Sequence, residues 1–124
     1  MTLATFTSDT FVPDGLVARN AALLVSEPIV LITGQNLVRG ALLGKITASS
    51  KYTLSLSASA DGSQVPVAVL VHDCDATAAD ANTLGYTRGD FMAEKLVLGA
   101  GHTLASVKDG LQDRGIFTFT TQGA

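Results

Sequence analysis

The sequence predicts a mainly β protein: one small β-rich domain with a short C-terminal helix and an extended N-terminal arm. Residues 51–57 alternate apolar and polar side chains, which is typical of a strand with one buried face. Residues 65–71 are apolar on both faces, as in a central strand, and residues 104–111 carry an apolar stripe at helical spacing. The 124 residues fit one domain, which we divide into an arm at residues 1–15 and a β-rich domain at residues 16–124.

The arm differs from the rest of the chain in composition. Thr and Phe, which favour strands, are frequent in it, and the turn-forming residues Pro13-Asp14-Gly15 end it. One interpretation is a frayed terminus. The other is an arm that becomes a strand at a sheet edge elsewhere, and it is favoured because exposed phenylalanines are costly in water. The residues that we expect to make these contacts are Thr2, Leu3, Thr5, Phe6, Thr7, Phe11 and Val12.

The first strands of the domain are predicted to be short. Residues 16–25 are expected to be extended, because a proline follows soon after and disfavours a helix, and residues 29–33 form a buried strand. A turn is predicted at residues 34–36. Gly40 and Gly44 lie inside the strand-like run that follows, where glycine marks a bend or a close backbone approach. This run is predicted to curl, as in a small barrel or clip.

The clearest alternation is at residues 51–57. Tyr52, Leu54 and Leu56 are predicted to face the core, and the intervening Thr and Ser residues to face away from it. A hairpin-type turn is predicted at residues 61–64, before the central strand.

The second half of the chain mixes strands with polar loops. Residues 72–82 are polar and are predicted to interrupt the sheet. Two strands are then predicted at residues 84–88 and 91–98, on either side of a turn at Gly89-Asp90. A last strand is predicted at residues 116–120.

One short helix is predicted before the last strand. Thr103 suits the N-cap position, and Leu104, Val107 and Leu111 then fall on one face. Gly115 suits the position just after the helix, where a left-handed backbone is common.

Composition excludes several classes of function. Eight basic and eleven acidic residues give a net charge of −3, and no basic face is evident for phosphate binding, so we expect no nucleic-acid partner. No apolar run approaches the roughly 20 residues that span a bilayer, and the N-terminus lacks the basic start of a signal peptide. We therefore expect that the protein has no membrane partner and that it is synthesised in a cytoplasm. A single Cys excludes an internal disulfide and a thiolate-rich zinc site.

The most suggestive chemical cluster is His72 with Cys74. On a strand these two side chains share a face, but nucleophilic catalysis needs a base at hydrogen-bond distance from sulfur, which neighbours two apart rarely achieve. A zinc site would need at least three ligands, and the second histidine, His102, is far away in the sequence. The favoured interpretation is a buried cysteine at a strand end beside an acidic loop.

Two weaker patterns are also better explained by structure than by chemistry. Asp73, Asp75 and Asp80 lack the spacing of a calcium-binding loop. Gly99-Ala100-Gly101 lacks the further residues of a phosphate-binding loop and is predicted to be a sharp turn before the helix. We therefore expect no enzymatic activity, no metal and no cofactor.

Several segments together resemble the lambda-type bacteriophage head decoration proteins, also called capsid cement proteins. The resemblance covers roughly residues 25–118, and it depends on the order and spacing of the segments rather than on any one of them. The segments are 34–46, 51–52, 61–70, 73–80, 86–91 and 114–117.

This resemblance implies a small fold of the β-clip kind and a structural role without catalytic residues. It implies a homotrimer that binds the outside of the expanded phage head and stabilises it. The implied partner is the major capsid protein, with which the N-terminal arm pairs as a strand. The implied location is the outer surface of the capsid in the virion.

An alternative function is a small β-barrel module that binds a ligand or a carbohydrate. Carbohydrate sites usually present exposed aromatic rings, whereas this chain has no Trp and two Tyr. Charged residues make up 15% of the chain, which is low for a soluble domain. This low fraction agrees better with a capsid decoration protein than with a binding module. An isolated subunit is then expected to expose apolar surface that assembly covers.

Overall fold

The computed structural model of the chain describes residues 16–19 and 23–120, so the predicted arm lies outside the described residues. The described ranges contain nine strands and one α-helix, and a short 3-10 turn at Ala93–Lys95 follows the eighth strand. The predicted mainly β class with a short C-terminal helix is confirmed. The elements are β1 (Val17–Arg19), β2 (Val25–Leu31), β3 (Gln35–Leu37), β4 (Leu42–Lys45), β5 (Tyr52–Leu54), β6 (Pro66–Leu70), β7 (Cys74–Ala76), β8 (Ala81–Met92), α1 (Leu104–Asp113) and β9 (Ile116–Phe119).

Five strands form a small barrel. β8 pairs with β2 on one side and with β6 on the other, β6 pairs with β4, and β4 pairs with β5. The last pairing, between β5 and β2, closes the barrel; it is parallel and includes one pair of partners, Leu31 and Tyr52. The barrel is therefore closed at one point and opens where β2 and β5 diverge.

The second half of β8 leaves the barrel and belongs to a three-stranded layer. β1 pairs with it antiparallel through Val17 and Phe91, and β9 pairs with it parallel from Gly89 to Met92. Helix α1 packs on β9 and on β6. β8 is thus shared by the barrel and the layer.

Two apolar cores lie on opposite sides of β6. Its Ala68 and Leu70 face the barrel interior, and Val69 between them faces the layer, so the predicted apolar character of both faces is confirmed. The barrel core contains Ile29, Leu31, Ala41, Leu43, Ala68, Leu70 and Ala76. The layer core contains Leu16, Val17, Leu42, Val69, Val71, Tyr86, Phe91, Leu96, Val107, Leu111 and Ile116.

The predicted turn at Gly89-Asp90 is wrong. β8 runs unbroken through both residues, and the strand predicted at residues 91–98 ends at Met92. Gly89 has a φ of 153°, and a Cβ atom at this position would overlap with the Cδ2 atom of Leu24. The glycine therefore marks a close approach inside a strand, not a chain reversal.

The predicted facing of residues 51–57 is correct only as far as Leu54, where β5 ends. Ser55 is fully buried and Leu56 is exposed, which reverses the prediction. The backbone N–H of Ser55 donates to the carbonyl of Leu42 at 3.0 Å, and its hydroxyl donates to the carbonyl of Ser63 at 2.7 Å. Because these bonds satisfy its polar groups, the serine can be buried. The alternation of buried and exposed side chains therefore reverses after Leu54.

Three further strand boundaries differ from the prediction. β2 begins at Val25, so it includes the proline that was expected to precede it. β3 begins inside the predicted turn at residues 34–36, and β7 lies inside the predicted polar interruption. β3 and β7 pair with each other, and each is only three residues long. Such short strands depend on a distant partner that local sequence does not reveal.

The predicted helix is confirmed in detail. The Thr103 hydroxyl accepts a hydrogen bond from the N–H of Ser106, and the Ser106 hydroxyl accepts one from the N–H of Thr103, which satisfies two terminal donors. Val107 and Leu111 are buried, and Gly115 follows with a φ of 87°. None of the helices in the described ranges has the length and apolar character needed to cross a bilayer.

Candidate functional site

His72 and Cys74 do not form a catalytic pair. His72 is exposed in the loop before β7, whereas Cys74 is half-buried and pairs with Leu37 of β3. Among the described residues no hydrogen bond joins the imidazole to the thiol, so these two side chains are not arranged as a base with its nucleophile.

Asp73 and Asp75 each bind a different loop of the backbone. The Asp73 carboxylate accepts a hydrogen bond from the N–H of Arg39 at 2.8 Å. The Asp75 carboxylate accepts bonds from the N–H of Thr77 at 2.9 Å and from its hydroxyl. These bonds, the hydroxyl bond foremost, hold the pKa of Asp75 below its ordinary value of 3.8.

Asp80 links two more loops. Its carboxylate accepts bonds from the Lys51 ammonium at 2.5 Å and from the N–H of Thr33 at 2.8 Å. The hydrogen bond from Lys51, followed by the bond from Thr33, lowers the pKa of Asp80. Across residues 16–19 and 23–120, no group of three or more His, Cys, Asp or Glu side chains could hold a metal ion. Each of the three aspartates thus stabilises a different loop through its own hydrogen bonds.

The half-buried Arg39 side chain contacts both the end of β6 and β8. Its guanidinium donates to the carbonyl of Val71 at 2.8 Å and to the hydroxyl of Tyr86 at 3.3 Å. The same guanidinium lies 5.8 Å from the centre of the Tyr86 ring, in range of a cation–π contact. Arg39 therefore links the turn before β4 to the end of β6 and to β8.

Ser55 and His102 form a pair that sequence reasoning did not predict. The Ser55 Oγ atom lies 3.0 Å from the Nε2 atom of His102. A serine hydroxyl has one hydrogen, and Ser55 donates it to the carbonyl of Ser63, so Nε2 must carry the proton and donate to Oγ. This imidazole nitrogen therefore cannot accept the serine proton, and the pair does not form a nucleophile with its base.

Glycines allow the loops around this pair to approach one another. A Cβ atom at Gly44 would overlap with the carbonyl of Ser63, and one at Gly99 would overlap with the carbonyl of Ser55. The close approach predicted for Gly44 is thus confirmed, and Gly99 shows the same feature. Gly44 and Gly99 were thus the sequence signal for the close packing around Ser55 and His102.

The edge of β2 that faces β5 is an open backbone surface of the barrel. Ile32 donates its N–H to the carbonyl of Tyr52 at 2.9 Å, so the backbone groups of even-numbered residues in β2 point toward the β5 side. In the part of the chain that the structure describes, β2 pairs on that side at Leu31 alone. The backbone polar groups of Ser26, Pro28 and Val30 therefore point away from β8 and toward this edge.

A groove of about 340 Å³ lies along this open edge. Burial, followed by the Glu27 carboxylate, raises the pKa of the Tyr52 phenol above its ordinary 10.0. Glu27 and Lys45 place one charge of each sign in the wall of the groove. The lining residues are Glu27, Pro28, Ile29, Val30, Lys45, Ser50, Tyr52 and Asn82.

Several large apolar side chains are exposed among the described residues. Val38 and Leu23 are the most exposed, at 51% and 63%, and Phe117 on β9 is 41% exposed. The others are Val25, Leu56, Val65 and Val97. The seven predicted arm contacts, from Thr2 to Val12, lie outside the described residues, so their contacts remain a prediction.

Comparison with known proteins identifies one family. The family model of bacteriophage lambda head decoration protein D matches residues 5–116. The match includes every described strand up to β8, helix α1 and the first residue of β9, and it begins inside the predicted arm. No curated protein matches the chain.

Proposed function

The chain belongs to the family of bacteriophage lambda head decoration protein D, and we propose that it binds the outside of the expanded phage head as a trimer and stabilises it. The observation that carries the proposal is a family match that includes both the barrel and the layer. Family membership supports a capsid decoration role and a location in the virion. The trimer, the outer surface and the pairing of the arm with the major capsid protein are the proposed parts.

The proposed binding mechanism follows from the composition of the arm. The arm from Thr2 to Val12 carries a single charge, at Asp9. Its proposed contact residues are Thr2, Leu3, Thr5, Phe6, Thr7, Phe11 and Val12. Such a segment can add to an exposed sheet edge of the shell through main-chain hydrogen bonds, while its phenylalanines fill pockets. Three arms on one trimer bind at high effective concentration once the first is attached. Preferential binding to the expanded shell then stabilises that shell by mass action.

The alternative, a barrel module for a ligand or carbohydrate, fits the structure less well. Small barrels that hold a ligand do so in an open interior. Here seven apolar residues, Leu31, Leu43 and Leu70 among them, fill the barrel interior. A function through the surface is therefore better supported than one through the barrel interior.

A decoration assay tests the proposal. Full-length protein and a variant lacking residues 2–12 are mixed with expanded, undecorated heads, and sedimentation measures the bound fraction. We expect the full-length protein to co-sediment and to raise the melting temperature of the heads, and the truncated variant to bind at least about tenfold more weakly because it loses the arm contacts.

One control makes the result interpretable. Sedimentation equilibrium should give three times the chain mass for each protein, with 12.7 kDa per full-length chain and correspondingly less per truncated chain, which shows that truncation leaves the trimer intact. Truncated protein that decorates heads as tightly as the full-length chain would overturn the arm mechanism. Full-length protein that fails to bind heads at all would overturn the proposed function.

A further inference from the structure

The backbone orientation of β2 at Pro28 follows from hydrogen bonds on both sides of the strand. Ile32 donates its N–H to β5, so the even-numbered residues of β2 direct their backbone groups to that edge. On the other side, Pro28 is the register partner of Leu84 in β8, and the carbonyl of Leu84 accepts from the N–H of Val71, away from β2. Pro28 and Leu84 therefore form a pair without hydrogen bonds between them.

The edge of β2 that faces β5 is accessible to a strand from another molecule. Ser26 and Pro28 are exposed, and Val30 is half-buried. Within residues 16–19 and 23–120, β2 pairs on this side through Leu31 and Tyr52 alone. An exposed strand edge with free backbone groups can pair with the same edge of a second copy, because every copy of the chain carries it.

Pro28 removes a donor from the middle of this edge. The backbone nitrogens of Ser26, Pro28 and Val30 point to the edge, and the proline nitrogen carries no hydrogen. The ladder between β2 and β8 loses no bond, because the nitrogen of Pro28 points away from β8. The proline thus weakens pairing with an added strand without weakening the barrel.

Two-fold symmetry increases the effect on pairing between copies. Two copies that pair symmetrically through this edge run antiparallel, so a hydrogen bond missing from one copy is also missing from the other. When Pro28 lies opposite the same residue of the second copy, both bonds of that pair are lost. When Pro28 lies opposite Ser26, one bond is lost from each of the equivalent pairs.

A charge disfavours the second of these registers further. With Pro28 opposite Ser26, Glu27 of one copy lies directly opposite Glu27 of the other, and like charges in that position repel. Glu27 is exposed on β2, beside the proline. Charged residues and proline are the two residue types that most often protect a strand edge from pairing.

We propose that Pro28 prevents the open edge of β2 from pairing with a second copy of this chain. Association between copies is then directed to surfaces other than this edge of the barrel. The proposal goes beyond the proposed function, because it concerns the free protein and can be measured without heads.

Restoring the missing donor tests the proposal. Pro28→Thr introduces an N–H and a strand-forming side chain at an exposed position, and sedimentation velocity measures the size of the protein over a concentration series. We expect species larger than those of the wild type at the same concentration. Association should be at least about tenfold tighter than in the wild type, because the symmetric contact regains a hydrogen bond in each copy.

Ser26→Thr is the matched control. It places the same side chain on the same exposed edge, at a position where the backbone donor is already present. This variant should sediment like the wild type. Circular dichroism at concentrations below the association range should give the wild-type spectrum for both variants, which shows that they are folded.

Hydrogen exchange locates the contact and provides a readout on the unmodified protein. In the wild type, the amide of Ser26 should exchange within about tenfold of the rate in an unfolded chain, at every protein concentration. In the Pro28→Thr protein, the amides of residues 26 and 28 should become at least about tenfold slower where the larger species appear.

Several results would contradict the role of Pro28. Pro28→Thr protein that sediments like the wild type at every concentration, or Ser26→Thr protein that associates equally, would overturn it. So would larger species in which residues 26 and 28 stay unprotected. Slow exchange at Ser26 in the wild type would also overturn it, because the edge would then be covered in spite of the proline.

Discussion

The barrel interior and the layer beneath α1 are filled in different ways. Large, fully buried side chains such as Phe91 and Leu111 fill the layer. The barrel interior contains small residues such as Ala41 and Ala68 beside its leucines, and Gly44 lets the backbone of β4 approach that of Ser63. The layer is therefore sensitive to the loss of side-chain volume, whereas the barrel is sensitive to its addition.

The largest expected effect is in the layer. Phe91 is fully buried and its ring centre lies 5.3 Å from that of Tyr86. Phe91→Ala should lower the free energy of unfolding by about 3–5 kcal/mol, because it leaves a cavity in the layer core. Urea denaturation measures this loss. Phe117→Ala on the neighbouring strand, where the ring is 41% exposed, is the control and should change stability by less than about 1 kcal/mol.

A smaller loss of stability is expected in the barrel, where it is caused by added rather than removed side-chain volume. Gly44→Ala adds one methyl group that would overlap with the Ser63 carbonyl, so β4 and the loop at residues 61–64 must separate. We expect a loss of about 1–3 kcal/mol, measured by the same denaturation. Gly110→Ala is the control: it lies in α1 with no atom within 4 Å of a new Cβ, and should stabilise by about 0.5–1 kcal/mol. Equal effects at both glycines would contradict the contrast between the two regions.

The smallest effect concerns the turn that supports Ser63. The Asp61 carboxylate accepts bonds from the hydroxyl and the N–H of Ser63, and these bonds lower its pKa below 3.8. A lowered folded-state pKa gives stability that is present above the unfolded pKa and lost as pH falls through the folded one. The difference in stability between the wild type and Asp61→Asn should therefore be greater at neutral pH than in acid.

Asp75→Asn provides the matched comparison for this pH dependence. Asp75 binds Thr77 in the same kind of turn, and its pKa is also lowered, but Thr77 is exposed whereas Ser63 is buried. Thermal unfolding across a pH series should show a smaller change for Asp75→Asn than for Asp61→Asn. The reverse order would mean that the Ser63 turn does not support the barrel.

Local patterns predicted the elements whose signals are themselves local. The helix has its cap at Thr103, its apolar stripe and Gly115 within a few residues, and it was predicted closely. β6 was predicted because a strand between two cores must be apolar on both faces.

Elements that depend on distant partners were predicted poorly. Gly89-Asp90 has the composition of a turn, yet β1 and β9 pair with both sides of β8 there and hold it extended. Ser55 is polar and was expected to face solvent, but the Ser63 carbonyl and His102 satisfy it inside the fold. The groove beside β2 had no sequence signal, because it arises where two strands from separate parts of the chain diverge.

The sharing of β8 by both regions has a consequence for the order of folding during synthesis. β2 cannot complete its pairing in the barrel until residues 81–88 have been synthesised. β1 cannot pair until Phe91 has been synthesised. Such distant pairings slow folding, because a long loop must close before any contact compensates for its lost entropy. The nascent chain should therefore acquire its fold late and nearly all at once, when most of the sequence has left the ribosome.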